Sequence, residues 1–170
     1  MTDQIARLRI ALQDIEPEIW RRVEVPLDLN LKSLHGVIQA IFEWQNCHLF
    51  EFTIEGKTYG VPHPEEDFGR KIQHAKLAKL ETLVTRGVNA FEYVYDMGDS
   101  WEHTITIEEV LQGQAGKKYP RFVDGARRGP PEDSGGFPGY YEFLKAVSSP
   151  RQPGHQRARS AVSNWGAACT

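Results

Sequence analysis

The run Tyr95-Asp96-Met97-Gly98-Asp99-Ser100-Trp101-Glu102-His103 puts two carboxylates and an imidazole around one tight turn. Asp and His together can hold a divalent metal, or can act as base and orienter for an attacking water. A structural reading competes with this, in which Asp99 closes the turn through its own backbone, Gly98 supplies a positive φ and His103 is a hydrogen-bonded core residue. Strand parity favours the structural reading, because Asp96 and His103 fall on opposite faces when Tyr95 or Met97 is set opposite Trp101. A second group is Arg127-Arg128-Gly129-Pro130-Pro131-Glu132-Asp133-Ser134-Gly135-Gly136. Its prolines stiffen the backbone and its glycines permit close approach. Glu132 and Asp133 stand just before a helix whose dipole would favour them. A loop with charges of both signs is also where a rigid scaffold would carry a binding site, and both readings stand.

The other histidines read as structural or exposed. His35 lies between Leu34 and Ile38 on the apolar face of a helix, and His48 shares parity with Phe50 and Phe52, so each is expected to be buried and hydrogen-bonded. His63 and His74 stand in polar surroundings. With no Cys-x-x-Cys or His-Glu-x-x-His spacing, no metal or other cofactor is expected. No phosphate loop, dinucleotide glycine fingerprint, Gly-x-Ser-x-Gly elbow or cysteine nucleophile context appears.

The elements that must position these residues alternate between two periods. Ile5 to Leu12 and Ile19 to Val25 follow the two-residue period of half-buried strands and should form a hairpin around Pro17. Asn30 should cap a helix carrying Leu31, Leu34, Ile38, Ile41 and Phe42, which ends near Trp44. Phe50, Phe52 and Ile54 predict a strand that turns at Glu55-Gly56-Lys57 into a short one around Tyr59. Residues 62–70 read as a loop. Leu77, Leu80, Leu83 and Val84 predict a short helix stopped by Gly87. Phe91, Tyr93 and Tyr95 share a face with Trp101, His103, Ile105 and Ile107 across a three- or five-residue loop. A strand over Tyr119 to Val123 and a helix with Tyr140, Leu144 and Val147 inward complete the list. The fold class expected is α+β, a mixed, largely antiparallel sheet with two or three helices packed on one face.

A chain of 170 residues is long enough for one domain with its own core, assigned here to residues 1–147. From Ser148 the composition turns to Pro, Gly, Ser, Ala, Gln and Arg, which predicts a basic, disordered tail over 148–170. The net charge of −3 splits into −7 for residues 1–142 and +4 beyond them. An acidic body disfavours nucleic-acid binding, and weak non-specific binding is left to the tail. No apolar run approaches a membrane span and no secretory leader is visible, so a cytoplasmic location with no membrane partner is expected. Cys47 and Cys169 lie in unlike contexts, and no structural disulfide is expected.

The order of motifs carries a resemblance. Ile15-Glu16-Pro17-Glu18-Ile19-Trp20-Arg21-Arg22 comes first, followed by Leu34-His35, Ile38-Gln39, Phe42-Glu43-Trp44 and His48-Leu49-Phe50-Glu51-Phe52. Then come Tyr93 to His103 and Pro130-Pro131-Glu132-Asp133-Ser134-Gly135-Gly136 with Gly139-Tyr140. Over residues 4–147 this resembles the Ri-plasmid open-reading-frame-three family. That family occurs on plasmids, insertion elements and chromosomes, and some members are labelled transposon resolvases. Neither the activated serine of serine resolvases nor the Arg/His cluster of tyrosine recombinases can be read in this chain. Relatives commonly carry a cysteine where Gly129 stands, so the resemblance brings no thiol chemistry to the loop. They also usually continue into an acidic segment where this chain has its basic tail.

These observations predict an accessory domain that binds a small molecule or a protein partner and is associated with mobile elements. Its expected site comprises Tyr95, Asp99, Trp101 and His103, with Arg128, Glu132 and Asp133. A metal-dependent hydrolase using Asp96, Asp99, His103, Glu132 and Asp133 is the alternative. Convergence of those carboxylates on one point would separate the two.

Overall fold

The computed structural model describes residues 4–65, 67–151 and 154–163. Alternating apolar residues build the expected first hairpin: β1 (Gln4–Leu12) and β2 (Trp20–Pro26) pair antiparallel, with Leu8 opposite Val23. Helix α1 (Leu31–Phe42) starts where Asn30 accepts the backbone N–H of Ser33 through its side chain at 2.9 Å. Its buried stripe is Leu31, Leu34, His35, Ile38, Gln39 and Phe42. β3 (Phe50–Ile54) and β4 (Lys57–Gly60) form the second hairpin. A short strand, β5 (Ile72–His74), runs parallel to β4, and the two-residue period gave no sign of it because only three residues pair. A 3-10 turn (Ala75–Leu77) and α2 (Leu80–Thr85) follow, and Leu77 is exposed rather than inward.

β6 (Ala90–Tyr95) and β7 (Trp101–Gln112) pair with Tyr95 opposite Trp101 and Tyr93 opposite His103, the longer of the two expected loops. β7 then continues beside β1, and β8 (Arg121–Ala126) closes the sheet beside β2. The order is β5-β4-β3-β6-β7-β1-β2-β8, antiparallel except at the β4–β5 edge. Helix α3 (Gly136–Ser148) buries Tyr140, whereas Leu144, expected inward, is exposed. Where no element was expected, α4 (His155–Ser163) follows α3. Its His155 Nδ1 lies 2.6 Å from the carbonyl of Ala146, and Ala158 is buried. Cys47 is disulfide-bonded, which corrects the expectation of no structural disulfide; Cys169 and the end of the tail lie outside the described residues. Among the described residues no helix is long and apolar enough to cross a membrane.

One core lies between the sheet and its helices. Phe42 of α1 meets His103 edge-on at 5.0 Å, and Phe137 of α3 meets Trp101 at 5.2 Å, so α1 and α3 cover the same face of the β6–β7 hairpin. Each fully buried Leu, Ile or Phe there contributes about 1.5–3 kcal/mol by leaving water. The opposite face is charged. Arg7 reaches Glu24 and Glu109 at 2.9 Å, Arg22 reaches Glu108 at 2.6 Å, and Arg121 reaches Glu24 at 3.2 Å. Glu24 is itself buried. Burial pushes its carboxyl up, but Arg7 and Arg121 together outweigh this and hold it below the ordinary range.

Candidate functional site

The end of α1 turns sharply. Glu43 and Asn46 both take the left-handed conformation, and the backbone N–H of Asn46 donates to the side chain of Gln39 at 2.7 Å. The chain therefore reaches β3 through an irregular link in which strand parity has no meaning. His48 lies on this link. Its side chain is 30 % exposed instead of buried, and its Nε2 stands 2.8 Å from Asp133 Oδ1, 3.5 Å from Asp96 Oδ2 and 3.9 Å from Glu132 Oε2. The ligand-type atoms of His48, Asp96 and Asp133 all lie within 4.8 Å of one another.

Each carboxylate is delivered by a different device. Asp96 has a φ of 60°, and its Oδ1 accepts the backbone N–H groups of Gly98 at 2.9 Å and Asp99 at 3.2 Å. The turn is thus closed by Asp96, not by Asp99, and the positive φ belongs to Asp96 and Ser100, not to Gly98. Asp99 instead accepts the backbone N–H of Gly135 at 3.0 Å, tying the 96–100 turn to the 127–136 loop. Gly136 permits this junction: it has a φ of 65°, and a Cβ there would lie 3.0 Å from the carbonyl oxygen of Asp99.

Glu132 is fixed by two donors on one oxygen. Tyr95 Oη donates to its Oε1 at 2.9 Å and the backbone N–H of Gln45 does so at 2.7 Å. Tyr95 Oη in turn accepts the N–H of Cys47 at 3.0 Å. Burial, and then the charge of Glu132, push the Tyr95 phenol well above its ordinary range, so it stays a donor. Trp44 stacks on Tyr95 at 4.8 Å and donates its indole N–H to the carbonyl of Pro130 at 2.9 Å. The helix-dipole reading of Glu132 and Asp133 fails. α3 has no acidic residue in its first turn and no side-chain cap, and both carboxylates point to partners elsewhere.

The remaining expected site residues are placed apart from this cluster. Trp101 is buried against Phe137 and Tyr140. His103 is fully buried among Phe42, Trp44 and Tyr93. Burial lowers its imidazole to about 3, and the backbone of Trp101 and Tyr93 offsets this only in part, since neither ring nitrogen makes a hydrogen bond of normal geometry. The expectation of a hydrogen-bonded His103 is corrected accordingly. Arg128 is ion-paired with Glu43 at 2.7 Å. Gly129 lies against Phe42, where a Cβ would come within 3.0 Å of the ring.

Of the groups proposed for a hydrolase, Asp96 and Asp133 come together at His48 with Glu132 3.9 Å from its Nε2, while Asp99 is engaged by Gly135 and His103 is sealed in the core. His48, read from the sequence as a core residue, takes the place expected of His103. Among the described residues no lysine or arginine pairs with Asp96, Glu132 or Asp133. Next to the cluster, a concavity of about 430 Å³ is lined in part by Leu49, Phe50, Phe68 and Met97.

The comparisons agree with this architecture. The chain is 37 % identical over 155 residues to the uncharacterized protein y4hQ of Sinorhizobium fredii, covering 91 % of this chain and 79 % of that one. The crystal structure of MM3350 from Methanosarcina mazei Go1, a protein of unknown function, superposes with a TM-score of 0.83 at 29 % identity, covering 95 % of this chain and 90 % of that one. The profile of the plasmid pRiA4b ORF-3-like proteins matches residues 4–168, beyond residue 147 where the resemblance was expected to end. The chain belongs to the plasmid pRiA4b ORF-3-like family.

Proposed function

We propose that this chain is a cytoplasmic accessory domain of plasmids and insertion elements that binds a positively charged ligand at the pole formed by His48, Asp96, Glu132 and Asp133. One observation carries the reading. In both Asp96 and Glu132, one oxygen is held by hydrogen-bond donors and the other faces His48, which has a single N–H to offer three acceptors. Carboxylates gathered without a matching cation attract one. Leu49 and Met97, partly exposed beside the pole, would accommodate an apolar portion of an organic cation. The same charge disfavours phosphate, in keeping with the acidic body.

Calorimetry of the full chain, titrated with spermidine, a basic peptide and divalent ions, with inorganic phosphate and a nucleotide as anionic controls, tests this. Saturable binding of at least one cation, lost in the Asp96→Asn/Glu132→Gln double variant, is expected. Saturable binding of the anions, or no cation binding, would overturn it.

A further inference from the structure

The geometry points to one divalent transition-metal ion, of the zinc or manganese class, held by His48 Nε2, Asp96 Oδ2 and Asp133 Oδ1, with the Glu132 carboxylate standing beside these three ligands. This rests on the preceding reading of the pole and names its ligand. His48 Nε2 lies 2.8, 3.5 and 3.9 Å from the three carboxylate oxygens. Zinc–nitrogen and zinc–oxygen bonds of about 2.0–2.2 Å in a tetrahedral shell place neighbouring donors roughly 3.3 Å apart, inside that range. His48, Asp96 and Asp133 come from three separate segments of the chain, and their ligand atoms all lie within 4.8 Å of one another.

The second observation is independent of the spacing. The side chain of Asp96 is only 10 % exposed, and among the described residues its Oδ2 receives no hydrogen bond although its Oδ1 receives two. Glu132 repeats the pattern, with both donors on Oε1 and none on Oε2. A carboxylate that ligates through one oxygen while outer donors fix the other is the arrangement by which proteins orient metal ligands. Here the outer donors are the Gly98 and Asp99 amides, the Gln45 amide and the Tyr95 hydroxyl. In the absence of an ion, the single N–H of His48 serves Asp133 and leaves the other two oxygens facing the same space without a proton donor.

The donor set selects the class of ion. An imidazole nitrogen among carboxylate oxygens suits zinc, manganese, iron or cobalt, whereas magnesium and calcium prefer oxygen-only shells. Asp133 is 66 % exposed and His48 30 % exposed, so the ion is reached from solvent without any opening of the fold.

Full-length, untagged protein stripped with a chelator is titrated with Zn²⁺, Mn²⁺, Mg²⁺ and Ca²⁺ by calorimetry, with metal content confirmed after dialysis. One ion per chain is expected, with Zn²⁺ or Mn²⁺ favoured over Mg²⁺ and Ca²⁺ by about tenfold or more. Asp96→Asn tolerates the left-handed backbone, and His48→Ala is on the irregular link; both should keep the fold and weaken the preferred ion by about tenfold to a hundredfold. Tyr95→Phe, which removes only an outer donor, should weaken it by about tenfold while leaving the stoichiometry at one. Co²⁺ loaded in place of the preferred ion should give visible absorption that changes in His48→Ala. No preference over Mg²⁺, or binding and absorption unchanged in the His48 and Asp96 variants, would overturn the assignment. Binding of spermidine or a basic peptide at the pole without metal binding would sink it too, and would leave the broader cation-binding reading in place.

Discussion

On the outer face of the sheet, Glu24, Glu108 and Glu109 each meet a guanidinium. On the helix-covered face the polar groups are kept neutral, until at its open end three carboxylates meet one imidazole. The same strands thus carry two solutions to burying charge. The outer face balances it pair by pair, and the inner face excludes it, with His35 and His103 uncharged among aromatic rings. The pole follows neither rule, and a departure from both marks it as the place where composition answers to something other than stability.

The largest expected effect comes from forcing charge onto the inner face. Burial lowers His35 to about 4 and His103 to about 3, against an ordinary value near 6.5, so the unfolded chain takes up protons first. Stability should be steady above about pH 7 and fall as the pH drops toward 4, by up to ~1.4 kcal/mol per pH unit for each histidine. Urea denaturation between pH 8 and 4.5 measures this, and His103→Leu should flatten the slope. An unchanged slope would show that His103 is not held neutral. Next in size is Glu132→Ala, which strands the buried Tyr95 hydroxyl and the Gln45 amide and should cost about 2 kcal/mol. Equality with a surface substitution would remove the distinction drawn for the pole.

Smaller effects belong to the outer face. Arg7→Ala leaves Glu24 with Arg121 alone and should cost about 1 kcal/mol in chemical denaturation, partly masked by salt. The smallest has the opposite sign. Asp133→Asn removes one of three like charges from the metal-free pole and should raise stability by roughly a few tenths of a kcal/mol, despite weakening its contact with His48. A clear loss of stability would mean that the His48–Asp133 pair already neutralises the site.

Most of the sheet was legible because its strands obey a two-residue alternation anchored by aromatic residues. Parity narrowed the partner of Trp101 to Tyr95 or Met97, and the structure selects Tyr95. The β4–β5 pairing was not legible, since three residues carry no period, and neither was α4, whose composition resembles a linker. The candidate site was half legible. Tyr95, Glu132 and Asp133 were singled out for their types and setting, and Asp96 entered only through the alternative reading. His48 was misread because parity was counted backwards from Phe50 through a segment that is not a strand. The left-handed residues Glu43 and Asn46 break that count; Asn is a type enriched in that conformation, but Glu43, where the helix ends, gives no such signal. His103 erred in the opposite direction, because its correct placement on the inner face was joined to a hydrogen bond that the aromatic packing does not supply.

The indole of Trp44 touches two parts of the pole at once, stacking on Tyr95 and holding the carbonyl of Pro130. It is therefore a built-in optical gauge. Emission energy and near-ultraviolet dichroism of an indole respond to its hydrogen bond and to the ring beside it, and Trp101, the other inner-face tryptophan among the described residues, is packed against Phe137 and Tyr140 of α3. Any ligand that draws Glu132 inward pulls on the same short loop that carries Pro130. Occupancy of the pole should thus be visible in unlabelled protein as a Trp44 signal, abolished by Trp44→Phe, which gives a direct way to screen compounds for binding.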